Sequence, residues 1–326
     1  MKLFVDIDIP LPGGTTIRHT DPVLLIGSCF TQHIGNRLAD LKFTTLQNPN
    51  GILFDPHSVC SSLVSYIENK PAGPADLFFL HELWQSWQHH SQFSGMEPED
   101  VLAGINRARQ EAHAFLKKSR WLIITLGTAF SYRLQQTGEA VANCHRAPAQ
   151  WFNKHLMEID DIVDGLRTCL DSLHVLNQEL RIIFTISPVR HIRDGVIENN
   201  RSKARLIEAV HQVVKNYSNT HYFPAYELVI DVLRDYRFYD IDLVHPNYAA
   251  TDFVFNKFIG SYTAPELSGL IEEIKKINLA FRHKPSYPAT AAHKKFLESM
   301  HARIQTLQQT YPYLDFNEEE RYFAGR

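Results

Sequence analysis

The chain has 326 residues, of which 44% are hydrophobic and 21% charged, a composition typical of a globular protein. Its formal net charge of -3 provides no basic field that would favour nucleic acid or an anionic membrane surface as a partner. The length allows one large α/β domain with an extension, or two domains.

The cysteines and the termini bear on cellular location. The four cysteines carry neither a CxxC pair nor any short spacing, which argues against a disulfide framework or a zinc site. We therefore expect reduced thiols and a cytoplasmic protein. The N-terminal residues lack the apolar core of a signal peptide, and no window approaches the roughly 18 apolar residues of a membrane span. No pattern indicates a metal or a cofactor.

The first predicted element is a buried strand at Val23–Gly27, followed at once by Ser28 and Cys29. A helix is predicted over Gln32–Leu41, with Thr31 as its N-cap. A nucleophile at this turn would lie at the carboxyl end of a parallel strand, where open α/β sheets keep their sites. The helix dipole would lower a thiol pKa and favour an oxyanion. The alternative is a plain turn with Cys29 as a small buried hydrophobe.

A second short strand is predicted at Lys42–Gln47, before the turn sequence Asn48-Pro49-Asn50-Gly51. Gly51 can take a positive φ and expose its backbone N–H to a ligand, or it can be an ordinary turn glycine. Asp55 then caps a helix that is predicted to end near Asn69.

An aromatic and polar segment at 77–90 predicts an inserted hairpin or loop excursion. Trp87, His89 and His90 either line a pocket rim or pack on the sheet. The two histidines are adjacent, and adjacent side chains point apart on a strand, so a shared metal role is not expected.

Two further buried strands are predicted at 121–126 and 181–186, and amphipathic helices are predicted over 99–118, 160–179 and 200–217. This alternation is the pattern of a doubly wound, mainly parallel α/β sheet with helices on both faces. A short last strand, or an equivalent segment, is expected within residues 222–230.

Polar loops follow the strands and should converge on one edge of such a sheet. They are Gly127-Thr128 and Ser187–His191. The segment Ala140–Trp151 is predicted to be loop and brings Asn143, Cys144 and His145 together. A neighbouring Cys–His pair invites a catalytic interpretation, but adjacency in sequence is not reach in space.

Asp242 and His245 lie three positions apart in a predicted turn. An Asp in this position can hold the imidazole through Nδ1–H and leave Nε2 free to take a proton from a nucleophile. Gly51 and the backbone N–H of the nucleophile could serve as oxyanion donors. The alternative is a turn-forming Asp beside a surface His.

The order of these features resembles the SGNH/GDSL hydrolase superfamily, and separate blocks within about residues 20–260 resemble the GSCFA-domain family. The blocks are Gly27-Ser28-Cys29-Phe30, Asn48-Pro49-Asn50-Gly51, Ser187-Pro188-Val189-Arg190-His191 and Asp242-Leu243-Val244-His245-Pro246. The resemblance implies a flavodoxin-like, three-layer α/β/α fold.

Because of two departures from the superfamily pattern, the nucleophile and one oxyanion donor are not determined by the resemblance. Its first block is Gly-Asp-Ser, so a register without gaps places Cys29 on the nucleophilic serine, whereas a shift of one residue restores Ser28. Its third block carries an Asn as oxyanion donor, where this chain has Ala129. Thr128 or Asn143 would have to replace that donor.

The resemblance implies an esterase or acyltransferase that acts on an acyl ester, with a carbohydrate ester as one such substrate. Cys29 or Ser28 would be the nucleophile, and Arg190, His191 and His145 would bind the substrate. The alternative is a catalytically inactive binding or scaffold protein that retains the fold. Nucleotide or phosphate binding is a third possibility, but neither GxGxxG nor GxxxxGKS/T occurs.

The pattern changes after residue 261, where helices are predicted over 264–281 and 290–310 without an intervening strand. An apolar stripe on the first of them comprises Leu267, Leu270, Ile271, Ile274 and Ile277. We expect a hydrolase-like domain at 1–262 and a helical extension at 263–326. The extension should pack on the domain or on a second copy of the chain, which would make a homo-oligomer.

Overall fold

A computed structural model describes residues 5–9 and 15–325, and residues 1–4, 10–14 and 326 lie outside this description. The strands in the described part are β1 (Val23–Gly27), β2 (Thr45–Gln47), β3 (Phe78–Leu80), β4 (Leu83–Gln85), β5 (Trp121–Leu126), β6 (Phe130–Leu134), β7 (Ala140–Val141), β8 (Phe152–Leu156), β9 (Arg181–Ile186) and β10 (Thr220–Phe223). The α-helices there are α1 (Cys29–Asp40), α2 (Pro56–Glu68), α3 (Pro98–Lys118), α4 (Ile159–Leu176), α5 (Val196–Asn216), α6 (Ala225–Glu227), α7 (Tyr248–Tyr262), α8 (Ser268–Arg282), α9 (Ala291–Thr310) and α10 (Asn317–Phe323).

A five-stranded sheet of order β10-β9-β5-β1-β2 forms the centre, and all of its neighbouring strands are parallel. Alternate residues of β1 point to opposite faces, because successive side chains of a strand do so. Val23 and Leu25 belong to a core that includes residues of α1, α7 and α8. Leu24 and Ile26 belong to a second core, with residues of α2 to α5. The predicted α/β architecture with helices on both faces is therefore confirmed.

Helix α1 begins earlier than the sequence predicts. Its N-cap is Ser28 rather than Thr31, which is buried inside the helix. The reason lies in Gly27, which has a φ of +136° and would place a Cβ 2.0 Å from the Thr125 carbonyl oxygen. Because the chain turns sharply at this glycine, the helix starts immediately after it, and Cys29 becomes its first residue.

The predicted secondary structure differs from the structure in two segments. The strand expected within 222–230 ends at Phe223, since Pro224 has no N–H for a strand ladder and helical turns follow. The segment 140–151, predicted to be loop, contains β7, which pairs with β6 in a three-stranded antiparallel sheet of order β7-β6-β8. The excursion at 77–90 contains the antiparallel hairpin β3–β4.

The C-terminal helices pack against the α1 side of the sheet. Ile271 and Ile274 of the predicted stripe are buried in the same core as Val23 of β1. Polar contacts reinforce this packing, because Arg282 forms an ion pair with Asp40 at 2.6 Å at the end of α1. No helix within the described residues is long and apolar enough to cross a membrane.

Candidate active site

Three strand ends meet at the carboxyl edge of the sheet. In the register of the parallel strands, Gly27 lies opposite Thr125, and Leu126 lies opposite Ile186. The backbone N–H of Ser187 donates to the Leu126 carbonyl at 2.8 Å. The loops that follow β1, β5 and β9 are therefore adjacent, as expected from the sequence.

Ser28 and Cys29 occupy different environments at this edge. Ser28 is fully buried, and its Oγ has no hydrogen-bond partner among the described residues. Cys29 is partly exposed at the first position of α1. Burial raises the pKa of the Cys29 thiol, while nearby backbone groups and the charge of Lys203 oppose this shift. The expected net lowering of this pKa by the helix dipole is thus wrong, because desolvation outweighs it.

Asp242 and His245 form a local pair. His245 Nδ1 lies 2.6 Å from Asp242 Oδ2, and Asp242 Oδ1 accepts the backbone N–H groups of Val244 and His245 at 2.9 and 3.0 Å. The hydrogen bonds from His245 and Val244 lower the pKa of Asp242 to about 2. The carboxylate is therefore anionic across the ordinary pH range and holds the imidazole from the Nδ1 side.

The loop that carries this pair is joined to the loop after β9. The backbone N–H of Arg190 donates to the Val244 carbonyl at 3.2 Å. The Arg190 guanidinium also lies over the Tyr239 ring, 4.4 Å from its centroid. The charge of His245 also contributes to lowering the pKa of His191, so these two imidazoles lie close enough to interact electrostatically.

His191 lies against the glycine that follows β5. A Cβ on Gly127 would be 3.4 Å from His191 Nε2, and the His191 ring packs edge-on against Phe54 at 5.4 Å. Its Nε2 is buried and has no partner among the described residues. Burial is the main reason that the pKa of His191 falls to about 4, with the charge of Lys203 the next cause. Near neutral pH His191 is therefore a neutral imidazole with one buried, unpartnered ring nitrogen.

Two of the expected oxyanion donors are already engaged. The Gly51 N–H donates to the Asn48 carbonyl at 2.7 Å. A Cβ at Gly51 would lie 2.1 Å from His90 Cβ, and its φ is +80°, so a turn and close packing account for this glycine. The Thr128 N–H donates to Phe54 O at 3.1 Å, and its hydroxyl is hydrogen-bonded to Ser202 Oγ at 3.0 Å.

Asn143 and His145 belong to the aromatic insert. The Asn143 side chain accepts the backbone N–H of His145 at 2.8 Å, and His145 Nε2 lies 2.8 Å from the Ser86 carbonyl. The His145 ring packs edge-on against Phe78 and Trp87, which stack on each other at 3.5 Å. None of these contacts joins Asn143 or His145 to the β1 turn or to the Asp242–His245 loop.

Sequence analysis missed the amide of Asn48. Asn48 Oδ1 accepts the Gly27 N–H at 2.8 Å, directly before the Ser28–Cys29 turn. Its Nδ2 is buried and has no partner among the described residues. The motif Asn48-Pro49-Asn50-Gly51 was the available signal, but it was interpreted only as a turn. The hydrogen bond to Gly27 places this amide beside the Ser28–Cys29 turn.

Lys203 of α5 is the second group missed. It is 1% exposed, and its Nζ donates to the carbonyls of Gly127 and Ser187, both at 2.6 Å. The signal was a charge on the apolar face of the helix, at helical spacing from Leu206 and Val210. Within the residues that the structure describes, no group of three or more His, Cys, Asp or Glu is arranged to hold a metal ion.

Comparisons with solved structures return carbohydrate esterases at low similarity. A carbohydrate esterase family 3 structure from Talaromyces cellulolyticus is 9% identical with a TM-score of 0.38, over 78% of this chain and 99% of that one. An acetyl xylan esterase from Butyrivibrio proteoclasticus is 10% identical with a TM-score of 0.38, over 74% and 63% of the two chains. A third carbohydrate esterase, with divergent catalytic and non-catalytic binding functions, is 13% identical with a TM-score of 0.36, over 77% and 66%.

Family comparison is more specific. No curated protein matches the chain. The GSCFA family matches residues 22–258, and the C-terminal domain of GSCFA domain proteins matches residues 274–326. The first match covers most of the chain and includes every residue of the candidate site described above. The chain belongs to the GSCFA family.

Proposed function

We propose that this protein is an SGNH-type esterase or acyltransferase in which Cys29 is the nucleophile, His245 the general base and Asp242 its orienting carboxylate. The observation that carries the proposal is the 2.6 Å contact between His245 Nδ1 and Asp242 Oδ2. That pair lies on a loop joined by a hydrogen bond to the loop after β9. Strand β9 is separated from β1, which leads into Cys29, by β5 alone.

The reaction begins with ionisation of the thiol. Because burial raises the pKa of Cys29, the free enzyme holds a thiol and needs His245 Nε2 to take its proton. The sulfur then forms a bond to the acyl carbon, and the carbonyl π pair moves to oxygen. Collapse of this intermediate breaks the ester C–O bond, and the leaving alkoxide takes the proton from His245. Water or an acceptor hydroxyl then attacks the thioester by the same route and releases Cys29.

The oxyanion of the intermediate needs donors at the start of α1. The first N–H groups of a helix have no partner within the helix, so the backbone N–H of Cys29 is one donor. The unpartnered Nδ2 of Asn48 is the second in this proposal. Neither Gly51 nor Thr128 is needed for this role.

The substrate in this proposal is an acyl ester of a small molecule or carbohydrate. Arg190 and His191 would bind hydroxyl or carbonyl oxygens of the substrate, and Phe54, which packs against the His191 ring, would provide an apolar wall. A cytoplasmic location and self-association through the C-terminal helices also stay predictions. Cell fractionation tests the location, and light scattering tests the self-association.

An acyl probe that reacts with thiols and serines tests the nucleophile. We expect peptide mass spectrometry to find the acyl group on Cys29, and labelling to be lost in His245→Ala. Cys29→Ala should abolish turnover of a small acyl ester, whereas Ser28→Ala should retain part of it, since the Ser28 side chain is fully buried. Cys60→Ala is the matched control and should keep full activity. Labelling of Ser28, with turnover lost in Ser28→Ala and kept in Cys29→Ala, would make the protein a serine hydrolase.

One observation favours the second candidate, a binding protein that retains the fold. Two donors expected from the sequence, Gly51 and Thr128, are engaged in other hydrogen bonds. Absence of both probe labelling and acyl transfer in the wild-type protein, combined with saturable binding of a carbohydrate ester, would support this candidate instead.

A further inference from the structure

Lys203 is a buried cation at the carboxyl edge of the sheet. Its side chain is 1% exposed, and burying a charge is costly unless other groups compensate for the lost water. Its ammonium donates to the Gly127 and Ser187 carbonyls at 2.6 Å each. In the part of the chain that the structure describes, no carboxylate forms an ion pair with it. The positive charge of Lys203 is thus solvated by backbone carbonyls and not neutralised.

The two carbonyls place this charge beside the nucleophile turn. Gly127 and Ser187 directly follow β5 and β9, and β5 is the strand next to β1. The backbone N–H of Ser28 donates to the carbonyl of Thr125, two residues before Gly127. Lys203 and Cys29 interact electrostatically, and the effect is mutual, because each charge favours the charged form of the other.

We propose that Lys203 is a positioning residue that supplies positive charge to the thiolate of Cys29. The inference rests on the proposed role of Cys29 as nucleophile. His245 removes the thiol proton, and the ammonium of Lys203 stabilises the sulfur anion left behind. Lys203 itself neither contacts the substrate nor transfers a proton.

The energetics fit this assignment. Burial lowers the pKa of Lys203 to about 7, and a negative charge on Cys29 raises it. Formation of the thiolate therefore increases the protonated fraction of Lys203 when that charge is needed. A cation that only joins two strand ends, too far from Cys29 to interact with it, would not respond to the ionisation of Cys29.

Alkylation kinetics of Cys29 distinguish a positioning role of Lys203 from a purely structural role. Iodoacetamide modification is followed site by site with mass spectrometry on the full chain from pH 6 to 11, with Cys144 as an internal control. In Lys203→Gln, which keeps an N–H donor for the carbonyls but removes the charge, we expect the apparent pKa of Cys29 to rise by about one unit. The rate at pH 8 should fall about tenfold, and Cys144 should not change. An unchanged Cys29 profile in folded Lys203→Gln would overturn the proposal.

A second measurement leaves Lys203 in place and does not depend on the stability of its variants. NMR of ¹³Cε-labelled lysine follows the titration of Lys203 in Cys29→Asp and in Cys29→Ser. We expect a higher midpoint in Cys29→Asp, because its carboxylate mimics the thiolate charge. Equal midpoints would contradict the proposal. Neither readout requires turnover, so a missing interaction between Lys203 and Cys29 is distinguished from a missing acyl-transfer activity. An inactive wild-type protein that shows both shifts would refute the esterase assignment and leave only the electrostatic interaction of Lys203 with Cys29.

Discussion

Two neighbouring residues at the β1 turn, Ser28 and Cys29, occupy different environments. Ser28 supplies the N-cap position of α1 through its backbone and is enclosed, while Cys29 starts the helix and stays partly exposed. The two side chains diverge because the chain bends at Gly27 and enters the helix without an intervening residue. Exposure thus favours the register that aligns Cys29 with the nucleophile of the superfamily.

At the residue scale, a substitution of Asp242 tests the proposed role of His245 as the general base. Replacing it with Asn keeps the size of the side chain but removes the negative charge that orients His245. We expect Asp242→Asn to lower kcat by roughly 10²–10⁴-fold with little change in KM. Since the pKa of Asp242 is about 2, wild-type activity should not fall through titration of this carboxyl between pH 4 and 9.

Asp240→Asn is the matched control for this prediction. Asp240 lies two residues away, and its hydrogen bond to His245 uses the backbone only. Steady-state kinetics of both variants should therefore show a large loss in Asp242→Asn and a small one in Asp240→Asn. Equal losses would point to a general effect of charge on the site and not to orientation of His245.

At the scale of elements, α8 completes one face of the sheet. Its apolar stripe is buried in the same core as β1 and α1 residues, and Ile274 is 0% exposed. We expect deletion of residues 264–326 to expose this core, lower solubility and shift thermal unfolding downward. A truncated chain that is fully soluble and equally stable would show that the extension is an independent appendage.

Two point variants on α8 refine this prediction. Ile274→Asp places a charge in the core and should cost several kcal/mol of unfolding free energy, at least about 3 kcal/mol. Leu279→Asp is the matched control on the same helix, because Leu279 is 75% exposed. Denaturant unfolding should show a change below about 0.5 kcal/mol for Leu279→Asp.

Across the whole molecule, one buried and two half-buried neutral histidines couple stability to pH. Burial lowers the pKa values of His89, His191 and His221 to about 4 each. The unfolded chain binds protons on these groups near pH 6.5, so the stability they contribute is complete above that pH and is lost as the pH falls toward 4. For His89, which is 3% exposed, the full effect is at most about 3 kcal/mol.

Unfolding by denaturant at a series of pH values measures this coupling. His89→Gln should flatten the fall in unfolding free energy between pH 6.5 and 4, whereas His174→Gln, on the exposed face of α4, should leave the slope unchanged. An identical slope in wild type and His89→Gln would mean that His89 binds its proton equally well in the folded and unfolded chains.

The sequence by itself determined the features that depend on neighbours along the chain. Continuous apolar runs predicted β1, β5 and β9, because a parallel strand covered on both faces buries nearly every side chain. Period-3.6 patterns predicted the helices between them. The three-residue spacing of Asp242 and His245 sufficed to predict their hydrogen bond, since a single turn brings the two side chains together.

Only the tertiary structure decided the contacts between distant segments. The hydroxyl of Thr128 is hydrogen-bonded to Ser202, which lies 74 positions away in the sequence. Lys203 donates a hydrogen bond to Gly127, which lies 76 positions away. Asn48 reaches Gly27 from the neighbouring strand end. Such contacts carry no local period in the sequence, because the order of strands in the sheet brings their residues together. The same packing buries Cys29 enough to raise its pKa against the dipole of its own helix.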